Sequence, residues 1–177
     1  MLSAFHKAQP YGFTLVELMI GIAIFSITLT FGVSSYRTWV QNTQILNAAE
    51  SIQNGIQRTR AEAVKRNGNV AFTLGANSSW EISVVNGGEV IESRSGSEGS
   101  KNVTVSVTPV GATTITLSNL GGVVTNADAT VTLTQVDLDS SVLAPADSRD
   151  LRVTIGLGGI VRMCDPNLAA GSSPRAC

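Results

Sequence analysis

The sequence predicts an α+β fold, a long N-terminal helix followed by an antiparallel β-sheet head. Three observations carry this. An apolar run covers residues 13–33. An amphipathic pattern then continues to about Arg66. From Val70 onward the periodicity changes to two, in short segments rich in β-branched residues.

The apolar run contains one charge, Glu17. As a helix, its 21 residues would measure roughly 31 Å, enough to cross a bilayer core of about 30 Å. The preceding MLSAFHKAQPYG carries Lys7, which places that end on the cytoplasmic side and the remainder outside. A cleaved secretory signal would end in an A-x-A-like site; here the run is followed by Ser34-Ser35-Tyr36-Arg37. A carboxylate at the centre of such a helix costs about 2.5–3.5 kcal/mol on insertion scales, and less near an end. Glu17 is therefore a candidate functional residue in need of a cationic partner.

Beyond residue 34, Ile45, Ala49, Ile52, Ile56 and Ala63 recur at helical spacing and define one apolar stripe. Arg58, Arg60, Lys65 and Arg66 cluster near the end. There they compensate the helix macrodipole or, as an alternative, bind phosphate or anionic lipid. Asn67-Gly68 is a stop signal. Gly55 is expected to weaken the helix by about 1 kcal/mol relative to alanine.

The strand candidates are VAFTL, WEISVV, VTVSV, TTITLS, ATVTLTQVDL and LRVTIG, all between residues 70 and 156. Turn clusters separate them: Asn86-Gly87-Gly88, Ser95-Gly96-Ser97, Gly121-Gly122 and Asn126-Ala127-Asp128. They are expected to form an antiparallel sheet packed on the apolar stripe.

Composition narrows the function. The formal net charge of −1 makes no bulk case for nucleic acid. The only histidine is His6, so neither Cys/His zinc spacing nor a Ser-His-Asp arrangement occurs in the body of the chain. Asp137, Asp139 and Asp147 are candidate calcium ligands, although a turn after a strand explains them more simply. No metal, cofactor or catalytic residue is expected, and the chain does not read as an enzyme.

Gly12 followed by Phe13-Thr14-Leu15-Val16-Glu17 and a retained apolar helix resembles the class III signal of type IV pilins and pseudopilins. The resemblance implies cleavage by a prepilin peptidase between Gly12 and Phe13, and N-methylation of Phe13. It also implies a partner for Glu17: the free α-amino group of Phe13 on a neighbouring subunit. Residues 58–72, RTRAEAVKRNGNVAF, and 151–166, LRVTIGLGGIVRMCDP, resemble the FimT/FimU minor pilins and the GspH minor pseudopilins. Major pilins usually carry a helix-kinking proline where this chain has Ser34, which favours a minor component.

The resemblance implies the type IV pilin fold and this organisation: a leader at 1–12, a transmembrane and filament-core half-helix at 13–34, an amphipathic half at 35–67, and a globular head at 68–177. The head would be periplasmic, the protein sitting first in the inner membrane and later in the filament at the cell surface. In that oxidising location Cys164 and Cys177 are expected to pair and close a C-terminal loop like that of type IV pilins, free thiols or metal ligation being the alternatives. The implied role is structural: a FimU-like minor pilin that starts assembly or forms a tip complex with other minor and major pilins.

Two alternatives accompany it. FimT-type pilins implicated in DNA uptake carry Gly-Arg-x-Arg, of which Gly159-Ile160-Val161-Arg162 keeps Gly159 and Arg162. Arg152, Arg162 and Arg175 are the candidate phosphate contacts for DNA. The other is a GspH-like pseudopilin of type II secretion.

Overall fold

The computed structural model describes residues 12–177, with the side chains of 30–32 left aside. The leader reading falls on 1–12, of which 1–11 lie outside the described residues. The chain divides into two compact units between Arg37 and Thr38. A helix, α1, runs Leu15–Arg66 and includes the boundary.

In the first unit every large apolar side chain from Phe13 to Leu29 is exposed. Among the described residues no single helix is long and apolar enough to cross a membrane. The piece Leu15–Leu29 would measure only about 22 Å. Together with the piece Val33–Arg66 it meets the length and composition of a span.

The second unit is the head. Its helical part buries Ile45, Ala48, Ala49, Ile52, Ile56 and Ala63, the stripe expected from spacing. The helix stops at a left-handed Asn67 (φ 49°). The Gly68 N–H donates to the Ala63 carbonyl and the Asn67 N–H to the Val64 carbonyl, so the orphan carbonyls of the last turn are satisfied.

Nine strands follow: β1 (Val70–Leu74), β2 (Trp80–Val84), β3 (Val90–Arg94), β4 (Val103–Thr108), β5 (Thr114–Leu117), β6 (Val123–Val124), β7 (Gln135–Ser140), β8 (Leu151–Ile155) and β9 (Val161–Cys164). They form two antiparallel sheets, ordered β3-β2-β1-β5-β6 and β4-β7-β8-β9. One core joins Ile52 and Ile56 of the helix to Phe72, Ile82 and Ile115 of one sheet and Val136, Leu138 and Val153 of the other.

Two local expectations change, and one strand was not expected. Gly55 is no weak point: a Cβ there would sit 2.8 Å from the Phe72 ring and 3.2 Å from that of Trp80. Those rings pack with centroids 5.7 Å apart, and Trp80 Nε1 donates to Ser51 Oγ at 2.8 Å. The helix turns its bare backbone to an aromatic pair. The stretch ATVTLTQVDL is a strand only from Gln135. Before that, the buried Asn126 amide holds the backbone, donating to the carbonyls of Thr114 and Thr130 in place of a ladder. Finally β3, with Glu92 and Arg94, lacks apolar alternation and carries no pattern signal.

Candidate functional site

At the N-terminus, Gly12 and Phe13 are exposed in non-helical backbone ahead of α1. Thr14 caps the helix. Its carbonyl accepts from Leu18 N–H at 3.1 Å, and its hydroxyl accepts from Glu17 N–H at 3.2 Å. In return Glu17 Oε2 accepts from the N–H and hydroxyl of Thr14, both at 3.4 Å. This reciprocal pair is a capping box, and Thr14-x-x-Glu17 spells it in the sequence, a signal the sequence analysis passed over. Glu17 makes no ion pair among the described residues, and its cap bonds are long.

The three candidate arginines lie on or beside one sheet face. Cross-strand partners Arg152–Cys164 and Thr154–Arg162 place Arg152 and Arg162 on the face opposite buried Val153. Each already has work there. Arg152 pairs with Asp137, its cross-strand neighbour on β7, and Gln135 Nε2 donates to the same carboxylate at 2.6 Å. Arg162 reaches into the tail, donating to the Pro174 carbonyl at 3.1 Å and the Ala176 carbonyl at 3.4 Å. Arg175 is exposed, and its carbonyl accepts from Asp165 N–H at 2.7 Å.

These contacts close the tail together with the disulfide. Cys164 and Cys177 are bonded, with Cα atoms 5.1 Å apart. Cys164 and Ala176 are both buried, so the last residues are docked on the head.

Of the candidate aspartates, Asp137 and Asp139 are engaged as well, while Asp147 is exposed and its carbonyl accepts from Asn42 Nδ2 at 3.0 Å. Asp139 Oδ1 accepts from Ser148 Oγ at 2.7 Å and from Ser140 N–H. Burial pushes the Asp139 carboxyl up, but hydrogen bonding from Ser148, then with Asp150 and the Ser140 backbone, brings it below the ordinary carboxylate range. Among the described residues no cluster of three His, Cys, Asp or Glu is arranged to hold a metal ion.

Three of the four cations clustered at the helix end are ion-paired in the same way. Glu62, buried, bonds Arg66 at 3.0 Å and Lys65 at 3.3 Å, and Arg66 also bonds Glu89 at 3.0 Å. Hydrogen bonds from Arg66, then Lys65, hold Glu62 below its usual range. Arg58 pairs with Glu92 at 3.2 Å. Arg60 makes no ion pair among the described residues. It lies over Gly121, and it lines a groove of about 620 Å³ with Val64, Gly159 and Ile160. Ile160, where the DNA-uptake motif has its first arginine, is an exposed apolar side chain beside this groove.

Residues 48–159 match the family model described as type II transport protein GspH. Residues 9–33 match the prokaryotic N-terminal methylation motif. Among curated proteins none matches. Among solved structures the chain is similar to the type IV minor pilin FimU of Pseudomonas aeruginosa (strain PAO1), in two crystal forms. One has 14% identity and a TM-score of 0.53 over 76% of this chain and 98% of that one. The other has 16% identity and a TM-score of 0.50 over 72% and 98%. At such identity the likeness concerns the fold: that of a structural pilin subunit, not of an enzyme. The chain belongs to the GspH family, and joins a prepilin-type N-terminal methylation motif to a type IV pilin fold.

Proposed function

We propose that this chain is a FimU-like minor pilin that helps start a type IV pilus or forms its tip complex. One observation carries the reading. The residues from Phe13 to Leu29 expose their apolar side chains around a single carboxylate that makes no ion pair among the described residues. Such a surface is stable only in lipid or against other helices of its kind.

Cleavage between Gly12 and Phe13 would create an α-amino group on Phe13, and methylation leaves it cationic. A neighbour's amine offers Glu17 a charge-assisted bond, stronger than the long bonds of its own cap. Both charges are costly alone in a low dielectric and far less so together, which favours one axial offset between subunits. Prepilin peptidase and the inner membrane are the partners before assembly, and other pilins the partners after it.

The test is Glu17→Ala in the native host. Membrane insertion and cleavage are expected to stay close to wild type, while surface pili fall at least tenfold. Normal piliation would sink the pairing argument. A role in type II secretion is the second reading, supported by the description of the matched family. Deleting the gene separates the two: loss of pili with normal protein secretion supports the first, and the reverse supports the second. DNA uptake is the reading that the arginine contacts favour least, since Arg152 and Arg162 are engaged within the head.

A further inference from the structure

Three asparagines in the sequence stand directly before a glycine: Asn54, Asn67 and Asn86. An Asn-Gly step can react with itself. The glycine nitrogen attacks Cγ of the asparagine side chain and closes a five-membered ring. Glycine favours this because no Cβ hinders the close approach or restricts the backbone. The attacking nitrogen must lose its proton, so an N–H held in a hydrogen bond has to be released first. The three steps share the same two residues, and the fold makes them unequal.

Two of them are held. Gly55 is buried inside α1, where its N–H is bonded within the helix, and the rings of Phe72 and Trp80 lie against it. The Gly68 N–H donates to the Ala63 carbonyl at 3.1 Å, and Asn67 Oδ1 accepts from Asn119 Nδ2 at 3.0 Å. The helix cap therefore fixes both the nucleophile and the amide of that step.

Asn86-Gly87 lies in the turn between β2 and β3, and both residues are exposed. The turn is anchored around them. Val84 N–H donates to the Glu89 carbonyl at 2.9 Å, Gly88 N–H to the Val84 carbonyl at 3.1 Å, and Val85 N–H to the Asn69 carbonyl at 3.1 Å. The Gly87 N–H and the Asn86 side chain have no hydrogen-bond partner among the described residues. Nothing packs on Gly87 either: a Cβ built there would meet no atom within 4 Å.

We propose that Asn86 is a site of self-modification, at which the side-chain amide becomes a carboxylate. A solvent base removes the proton from the Gly87 nitrogen. That nitrogen bonds to Asn86 Cγ, the bond from Cγ to the side-chain nitrogen breaks, and ammonia leaves with the proton returned. The succinimide then takes up one water. Opening between Cγ and the ring nitrogen gives aspartate. Opening between the backbone carbonyl carbon and that nitrogen gives isoaspartate, whose main chain runs through the former side chain. Either product puts a negative charge in the turn that carries Glu89, the partner of Arg66 at 3.0 Å. Isoaspartate also adds one atom to the main chain between the bonds that register β3 on β2.

The experiment is prolonged warm incubation of the full-length chain in detergent at mildly alkaline pH, once folded and once in denaturant. Peptide mapping by mass spectrometry follows the conversion at each Asn-Gly step. In the folded chain Asn86 is expected to convert at least about tenfold faster than Asn54 and Asn67, which must wait for local opening. In denaturant the three rates should draw together. Asn86→Gln, which can close only a larger ring, should lose the conversion at that position. Equal rates in the folded chain would overturn the proposal, as would an Asn86 that converts only after unfolding. A lead for Asn86 that persists undiminished in denaturant would assign it to the neighbouring sequence and overturn the role of the turn.

Discussion

Ile20 and Ile56 are the same side chain in the same helix, with opposite fates. Ile20 is 56% exposed and Ile56 fully buried. All the large apolar residues from Phe13 to Leu29 resemble Ile20, while the stripe from Ile45 to Ala63 resembles Ile56. The second stretch has found its solvent in the two sheets of the head. The first must find it outside the chain, in lipid or in other subunits. A helix whose polarity changes along its length is thus read by asking where each part could be satisfied.

The comparison can be broken most severely at those two isoleucines. Ile56→Ala is expected to destabilise the head by about 2–5 kcal/mol, because the fully packed site leaves a cavity. Ile20→Ala should leave head stability unchanged. Denaturant unfolding of the full chain in detergent, followed by tryptophan fluorescence, reads both. Equal losses would mean that the first stretch also packs on the head.

A finer contrast lies in two helical glycines. A Cβ at Gly21 would meet nothing within 4 Å, whereas one at Gly55 would press on Phe72 and Trp80. Gly21→Ala should stabilise the helix by up to about 1 kcal/mol, since alanine gives up less backbone entropy. Gly55→Ala should destabilise the head by about 1–3 kcal/mol through overpacking. Thermal melting of the head checks Gly55→Ala, and helicity by circular dichroism checks Gly21→Ala. A stabilised Gly55→Ala protein would show that the ring pair yields.

The smallest effect concerns pH. Glu62 is held below its usual range by Arg66 and Lys65, while Glu17 makes no ion pair among the described residues. A carboxyl whose folded pKa is depressed stabilises the fold above its unfolded pKa of roughly 4.3, and loses that contribution as pH falls through the folded value. Head stability should therefore decline with acid below about pH 4.5, and Glu62→Gln should flatten that decline. A pH series of melting temperatures on both proteins decides it, and parallel slopes would remove Glu62 from the account.

The local signals were legible in the sequence. Residues 9–33, which include Phe13 and Glu17, match the methylation motif, the stripe Ile45–Ile52–Ile56–Ala63 has helical period, and most of the strands alternate. Each is written in adjacent or periodic residues, and burial or propensity acts on them directly. The Thr14–Glu17 capping box is just as local, and Thr14-x-x-Glu17 spells it in the sequence.

Tertiary structure decided the rest. Splitting the strands into two sheets depends on which edges meet, a long-range matter that alternation leaves open. It also decided the arginines. Arg152 and Arg162 read as free cations in the chain, but cross-strand register sets one against Asp137 and the tail folds carbonyls onto the other. Gly55 reads as a defect until Phe72 and Trp80 arrive from another element. The physical reason is common to all three. A residue's pattern shows what it needs, but its partners come from far along the chain, and only folding brings them within range of a bond or a contact.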